Sequence, residues 1–78
     1  MSDDDSIDSL LKEKEKVLKE NIDYTMEKVK RFGARTDEVK EQVHASLELI
    51  EGKYGKAAGN EYINKLTEEV FRYEDSLR

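Results

Sequence analysis

Three short stretches of this 78-residue chain hold residue types that could do chemistry. The first is "EGKYGKAAGNEYI", residues 51 to 63, with three of the four glycines and two lysines. A phosphate-cradling loop needs G-x-x-x-x-G-K-[ST] after a strand, so that backbone N–H groups surround the phosphates and a hydroxyl meets magnesium. Here Ala57 follows Gly55-Lys56, Ile50 stands where the earlier glycine belongs, and no strand-like run precedes. Nucleotide binding is therefore not expected, and the segment reads as a turn between helices.

The second stretch is "EQVH", Glu41 to His44. Glu-x-x-His supplies ligands to di-iron carboxylate bundles, but only when both side chains point inward. With Val39 at zero on a helical wheel, Glu41 and His44 fall at about 200° and 140°, away from the apolar stripe. With one His and no Cys, a zinc site lacks its usual ligands. The third stretch, "DDDSIDS", fails as a calcium loop. Counted from Asp3, the positions that need Gly and Glu hold Asp8 and Lys14. No cofactor or metal is expected, and with no nucleophile–base pair evident the chain reads as a non-enzyme.

Composition sets the frame that must hold any site. The chain has no proline, cysteine or tryptophan; charged residues make up 42% and apolar residues 36%. Many of those charges are Lys and Glu, good helix formers, and strand-like alternation is missing, so the expected fold is all-α. Nineteen acidic against fourteen basic residues give a net charge of −5, which opposes non-specific binding to DNA or anionic membranes. No window is apolar enough to span a bilayer. The acidic start lacks the pattern of a signal peptide, so the expected location is cytoplasmic.

Residues 1–5 read as a disordered acidic N-terminus and 6–78 as one helical domain. Ser6 is a plausible N-cap, and helix 1 is expected over about 7–32, ended by Gly33. Its stripe collects Ile7, Leu11, Leu18, Ile22, Thr25, Val29 and Phe32, flanked by Leu10 and Met26. Lys14, Glu15 and Asn21 interrupt it, either by snorkelling or as a polar device that sets register. Helix 2 is expected over about 37–51, capped by Thr36, with Val39, Val43, Leu47, Ile50 and Tyr54 as its stripe. Helix 3 is expected over about 56–77 with Ile63, Leu66, Val70, Tyr73 and Leu77, Asn60 as a possible N-cap, and a Glu68–Arg72 pair.

Counted as one rod, helix 2's stripe lies at about 0° to 80° and helix 3's at about 140° to 240°. The chain is therefore expected to break or turn between them, with one continuous helix presenting two opposed interfaces as the alternative. Gly52 is expected to end helix 2, and Gly55 and Gly59 to extend helix 3's stripe with a face on which another helix could approach closely. Gly33 marks the other turn.

Off-stripe apolar residues point to the function. Val17, Tyr24, Leu49 and Phe71 lie outside the three stripes and are the candidate partner-binding residues. A core this thin is marginal in 78 residues, so the bundle is expected to be completed by homodimerisation. The expected function is a protein–protein interaction module, an adaptor, regulator or chaperone-like subunit, that buries helix faces on a partner. An acidic inhibitor of a nucleic-acid enzyme by phosphate mimicry is the alternative, and a direct DNA-binding regulator the weaker one. Lys28, Lys30, Arg31 and Arg35 cluster at one corner, whereas Lys53 and Lys56 fall at the other end, which makes no continuous basic stripe.

Overall fold

A computed structural model describes residues 3–78, with side chains described from Ser9 onward. Three helices follow in order: α1 Asp3–Phe32, α2 Asp37–Tyr54 and α3 Lys56–Ser76. Each helix contacts both others, forming a small three-helix bundle about 50 Å long.

The first turn forms as its residues dictate. Gly33 takes φ +105°, a region closed to most L side chains, and its N–H bonds the Val29 carbonyl at 2.9 Å. Thr36 stands at the N-cap of α2 in extended conformation, its carbonyl accepting from the Lys40 N–H at 3.1 Å. Its hydroxyl caps nothing. Instead it donates to the Gly33 carbonyl at 2.9 Å and ties the turn back on itself, while Asp37 and Glu38 meet the positive end of the helix dipole.

The second turn corrects the expected boundary. Gly52 does not end α2; it sits inside the helix, with open space where a Cβ would project. The break falls at Gly55, whose φ of 93° and ψ of 176° lie in a region that is essentially reserved for glycine. That one residue is the entire connection. Its N–H bonds the Glu51 carbonyl at 2.9 Å and its own carbonyl accepts from Gly59 at 3.3 Å, so it closes α2 and opens α3. Since Lys56, Ala57 and Ala58 are all good helix formers, α3 starts four residues ahead of Asn60, which lies exposed within the helix and caps nothing.

The other end of the chain also departs from expectation. Asp3–Asp5 belong to α1, so Ser6 lies within the helix and not at its cap; Met1 and Ser2 fall outside the described residues.

The core is built from Leu18, Ile22, Met26 and Val29 of α1, Val39 and Ile50 of α2, and Ala58, Tyr62 and Leu66 of α3. Each of the larger side chains contributes about 1.5–3 kcal/mol when fully buried. Val43, Leu47, Tyr54, Ile63, Val70 and Tyr73 pack around them, so most of the expected stripes do face inward. Gly59 is buried where α2 passes: a Cβ there would stand 2.6 Å from Glu51 Cγ and 3.0 Å from Leu47 Cδ1. The close helix approach expected along the glycine face occurs at this residue.

Contacts along α1 and α3 rise together, with Lys14 against Glu61 and Lys30 against Tyr73, so these two helices run parallel with α2 reversed between them. The C-terminal end of α2 reaches α1 at Glu13, where Lys53 Nζ lies 3.9 Å from its carboxylate. From side chains described, burial in α1 begins only at Leu18. The first ten or so residues of α1 therefore overhang the α2–α3 turn by about 15 Å at 1.5 Å per residue.

Candidate interaction surfaces

The four off-stripe residues are spread over all three helices. Val17 packs against the core and is partly buried, so it acts as an outer core residue. Tyr24, Leu49 and Phe71 stand well out from α1, α2 and α3, at 55%, 50% and 63% exposure.

Of these, Tyr24 lines a surface groove. It runs along the C-terminal half of α1, where Tyr24, Glu27, Lys28, Arg31 and Phe32 form one wall and Gln42 of α2 closes the other side. Helical geometry explains the assembly, because positions 24, 28 and 31 recur on one face at i, i+4 and i+7. Phe32, expected to close the α1 stripe, is instead 47% exposed as the helix ends at the corner. Gln42 is held by its side-chain N–H donating to the buried Ser46 hydroxyl at 3.0 Å.

The electrostatics of the corner run against the net charge of the chain. Among the described residues, Lys28, Arg31 and Arg35 make no ion pair. Lys30 lies 5.8 Å from the centroid of the Tyr73 ring, a cation–π distance. Lys30 and Arg31 also sit at the negative end of the α1 dipole. The result is an aromatic groove edged by two cations, Lys28 and Arg31, and by the Glu27 carboxylate.

The polar interruption of the α1 stripe has a structural partner. Lys14 Nζ lies 3.1 Å from Glu61 of α3, which Lys65 approaches at 3.1 Å from the other side. Hydrogen bonding to Lys14, then to Lys65, holds the Glu61 carboxyl below its ordinary value despite partial burial. Lys14 thus ties α1 to α3 within one molecule. Asn21 turns its amide to the Val17 carbonyl at 2.8 Å.

Two details escaped the periodicity. Tyr62, fully buried, shares a 2.7 Å hydrogen bond with the buried Thr25 hydroxyl, and Thr25 donates to the Asn21 carbonyl at 2.9 Å. Because Thr25 has one hydrogen, Tyr62 is the donor in their mutual bond. On the same wheel Tyr62 falls at about 140°, at the edge of α3's stripe, and that angle is the available signal. Arg72 pairs with Glu69 at 3.4 Å and not with Glu68.

The remaining chemical candidates lie on the surface. Glu41 and His44 are exposed, as their wheel positions require, and His44 Nε2 lies 3.8 Å from Glu48. Among the described residues, no three His, Cys, Asp or Glu side chains converge on a point that could hold a metal ion, and no helix is long and apolar enough to cross a membrane. Comparison with protein-family models, curated proteins and solved structures finds no match to this chain.

Proposed function

We propose that this chain is a non-enzymatic protein–protein interaction module that binds a partner protein by helix-on-helix burial. One observation carries the reading. Seven large apolar side chains (Leu10, Leu11, Tyr24, Phe32, Leu49, Phe71 and Leu77) stand 47% to 68% exposed around a core that is already closed. Single exposed apolar residues need no explanation. Two aromatics lining one groove beside two unpaired cations make a recognisable anchor site, since aromatic and arginine side chains dominate interface energetics.

The groove fits a partner segment that offers an apolar side chain to Tyr24 and Phe32 and carboxylates to Lys28 and Arg31. Phosphate mimicry has weaker support, because Glu13, Glu61 and Glu69 already sit in ion pairs within the bundle. A chain without cysteine suits a reducing setting such as the cytoplasm.

The test is affinity capture from native lysate with the wild type, a Tyr24→Ala/Phe32→Ala variant and a Lys28→Glu/Arg31→Glu variant. The expected result is a protein captured by the wild type and depleted about tenfold or more with both variants, at unchanged helical circular dichroism. Capture of the same proteins by all three would refute the groove as the contact.

A further inference from the structure

The segment that the Tyr24 groove calls for is carried by this chain itself, on the outer side of α3. Phe71 stands 63% exposed there, nine positions after the fully buried Tyr62. At 100° per residue it therefore points about 180° away from Tyr62 and the core. Carboxylates flank it in both directions along the helix: Glu68 lies just under one turn before it, and Glu74 and Asp75 lie about one turn after, all exposed. None of the three is in an ion pair among the described residues. The groove offers the complement, with Lys28 and Arg31 between the rings of Tyr24 and Phe32. Its volume of about 220 Å³ is below the ~300–1,000 Å³ of small-molecule pockets and suits one inserted side chain.

Given the groove reading above, on which this rests, we infer that Phe71 of one copy seats in the Tyr24–Phe32 groove of a second copy, with Glu68, Glu74 and Asp75 meeting Lys28 and Arg31. At 1.5 Å per residue, Lys28 and Arg31 lie about 4.5 Å apart along α1, and the carboxylates lie about 4.5–6 Å from Phe71 on either side. With the ring between the two cations, each cation has a carboxylate on its own side, whichever way α3 runs across α1. Each surface also carries one charge of the wrong sign, and each of these is outnumbered: Glu27 in the groove, and Arg78 seven positions past Phe71. The groove is walled by α1 and α2, whereas Phe71 points outward from α3, so the two surfaces lie on opposite sides of the bundle. One molecule gives its Phe71 to one neighbour and its groove to another, and two copies cannot exchange both contacts. Such a head-to-tail contact does not close at two; it builds open chains or larger rings. The contact is small, so these assemblies should shorten on dilution. Salt should weaken them, because exposed charges set the match.

Sedimentation equilibrium of the purified chain tests the contact with two variants. Phe71→Ala removes the inserted ring and leaves the groove intact; Lys28→Glu/Arg31→Glu reverses the groove and leaves Phe71 intact. None of the three side chains is part of the core, so circular dichroism should match the wild type. The expected wild-type result is an average mass that rises past two copies with concentration and falls to one copy in ~1 M salt. Each variant alone should stay monomeric. Their equimolar mixture should stop at two copies, because Phe71 of the groove variant enters the intact groove of Phe71→Ala and nothing extends the pair. A wild type that stays monomeric, or that stops at two copies, overturns the inference. So does a variant that associates alone, or a mixture that stays monomeric. Those outcomes leave the groove reading to the capture experiment, where Tyr24→Ala/Phe32→Ala decides it without touching Phe71.

Discussion

Replacing Tyr62 by Phe removes one oxygen from the centre of the bundle and leaves the ring in place. Tyr62 and Thr25 are both fully buried, and their hydroxyls form a side-chain hydrogen bond that joins α1 to α3 inside the core. In Tyr62→Phe, Thr25 still donates to the Asn21 carbonyl and loses only an incoming hydrogen. The cost should be that of an ordinary internal hydrogen bond, about 0.5–1.5 kcal/mol. Thr25→Val is different. It keeps the shape but strands the Tyr62 O–H, a buried donor with no acceptor, for about 1–3 kcal/mol. Replacing both at once removes donor and acceptor together, so the double variant should cost less than the sum of the singles, with a coupling of about 1–2 kcal/mol. Urea unfolding read from midpoints at constant slope, all at one low protein concentration, measures the cycle. In a domain of this size each kcal/mol should also appear as about 4–8 °C in Tm. Costs that simply add would refute the bond, and a Tyr62→Phe cost above that of Thr25→Val would refute the assigned direction of donation.

Other consequences can be checked the same way. Gly55→Ala should destabilise by about 1–3 kcal/mol, because its φ and ψ exclude a side chain. Gly52→Ala should stabilise by about 0.5–1 kcal/mol, since it lies in an exposed helix interior with free space around it; urea midpoints of the two variants should move in opposite directions. The Tyr54 hydroxyl is buried without a partner among the described residues, so Tyr54→Phe should leave thermal stability unchanged or raise it. Glu61 has a lowered carboxyl pKa, so its contribution is present above its ordinary value of 4.5 and lost as pH falls through the lower folded value. Its side chain is 35% exposed, which keeps that contribution to roughly 1 kcal/mol or less. Glu61→Gln should thus be less stable than the wild type at pH 6, and the difference should vanish in strong acid.

Helix content and the inward stripes were legible because period 3.6 survives in any sequence that must bury one face of a helix. Leu18, Ile22, Val29, Val39, Ile50 and Leu66 needed nothing more. The phase shift between α2 and α3 likewise required a break, but it could not choose among three glycines. That choice depends on which φ the closing geometry demands, and Gly55 meets it while Gly52 continues the helix. Lys14 looked like a flaw in α1 because its partner, Glu61, is 47 positions away in sequence. Tyr62 does not stand out on a wheel, which counts apolar area and gives no weight to a hydroxyl that finds a buried acceptor. Val17 was placed outside the stripe yet packs on the core, since a helix touched by two neighbours buries a wider arc than one stripe.

Because α1 and α3 run the same way, the two ends of the helical domain emerge about 50 Å apart, at opposite extremes of its long axis. Whatever is attached at one end is held away from whatever is attached at the other by a stiff strut. Dyes placed near Ser9 and Ser76 would read most of that span.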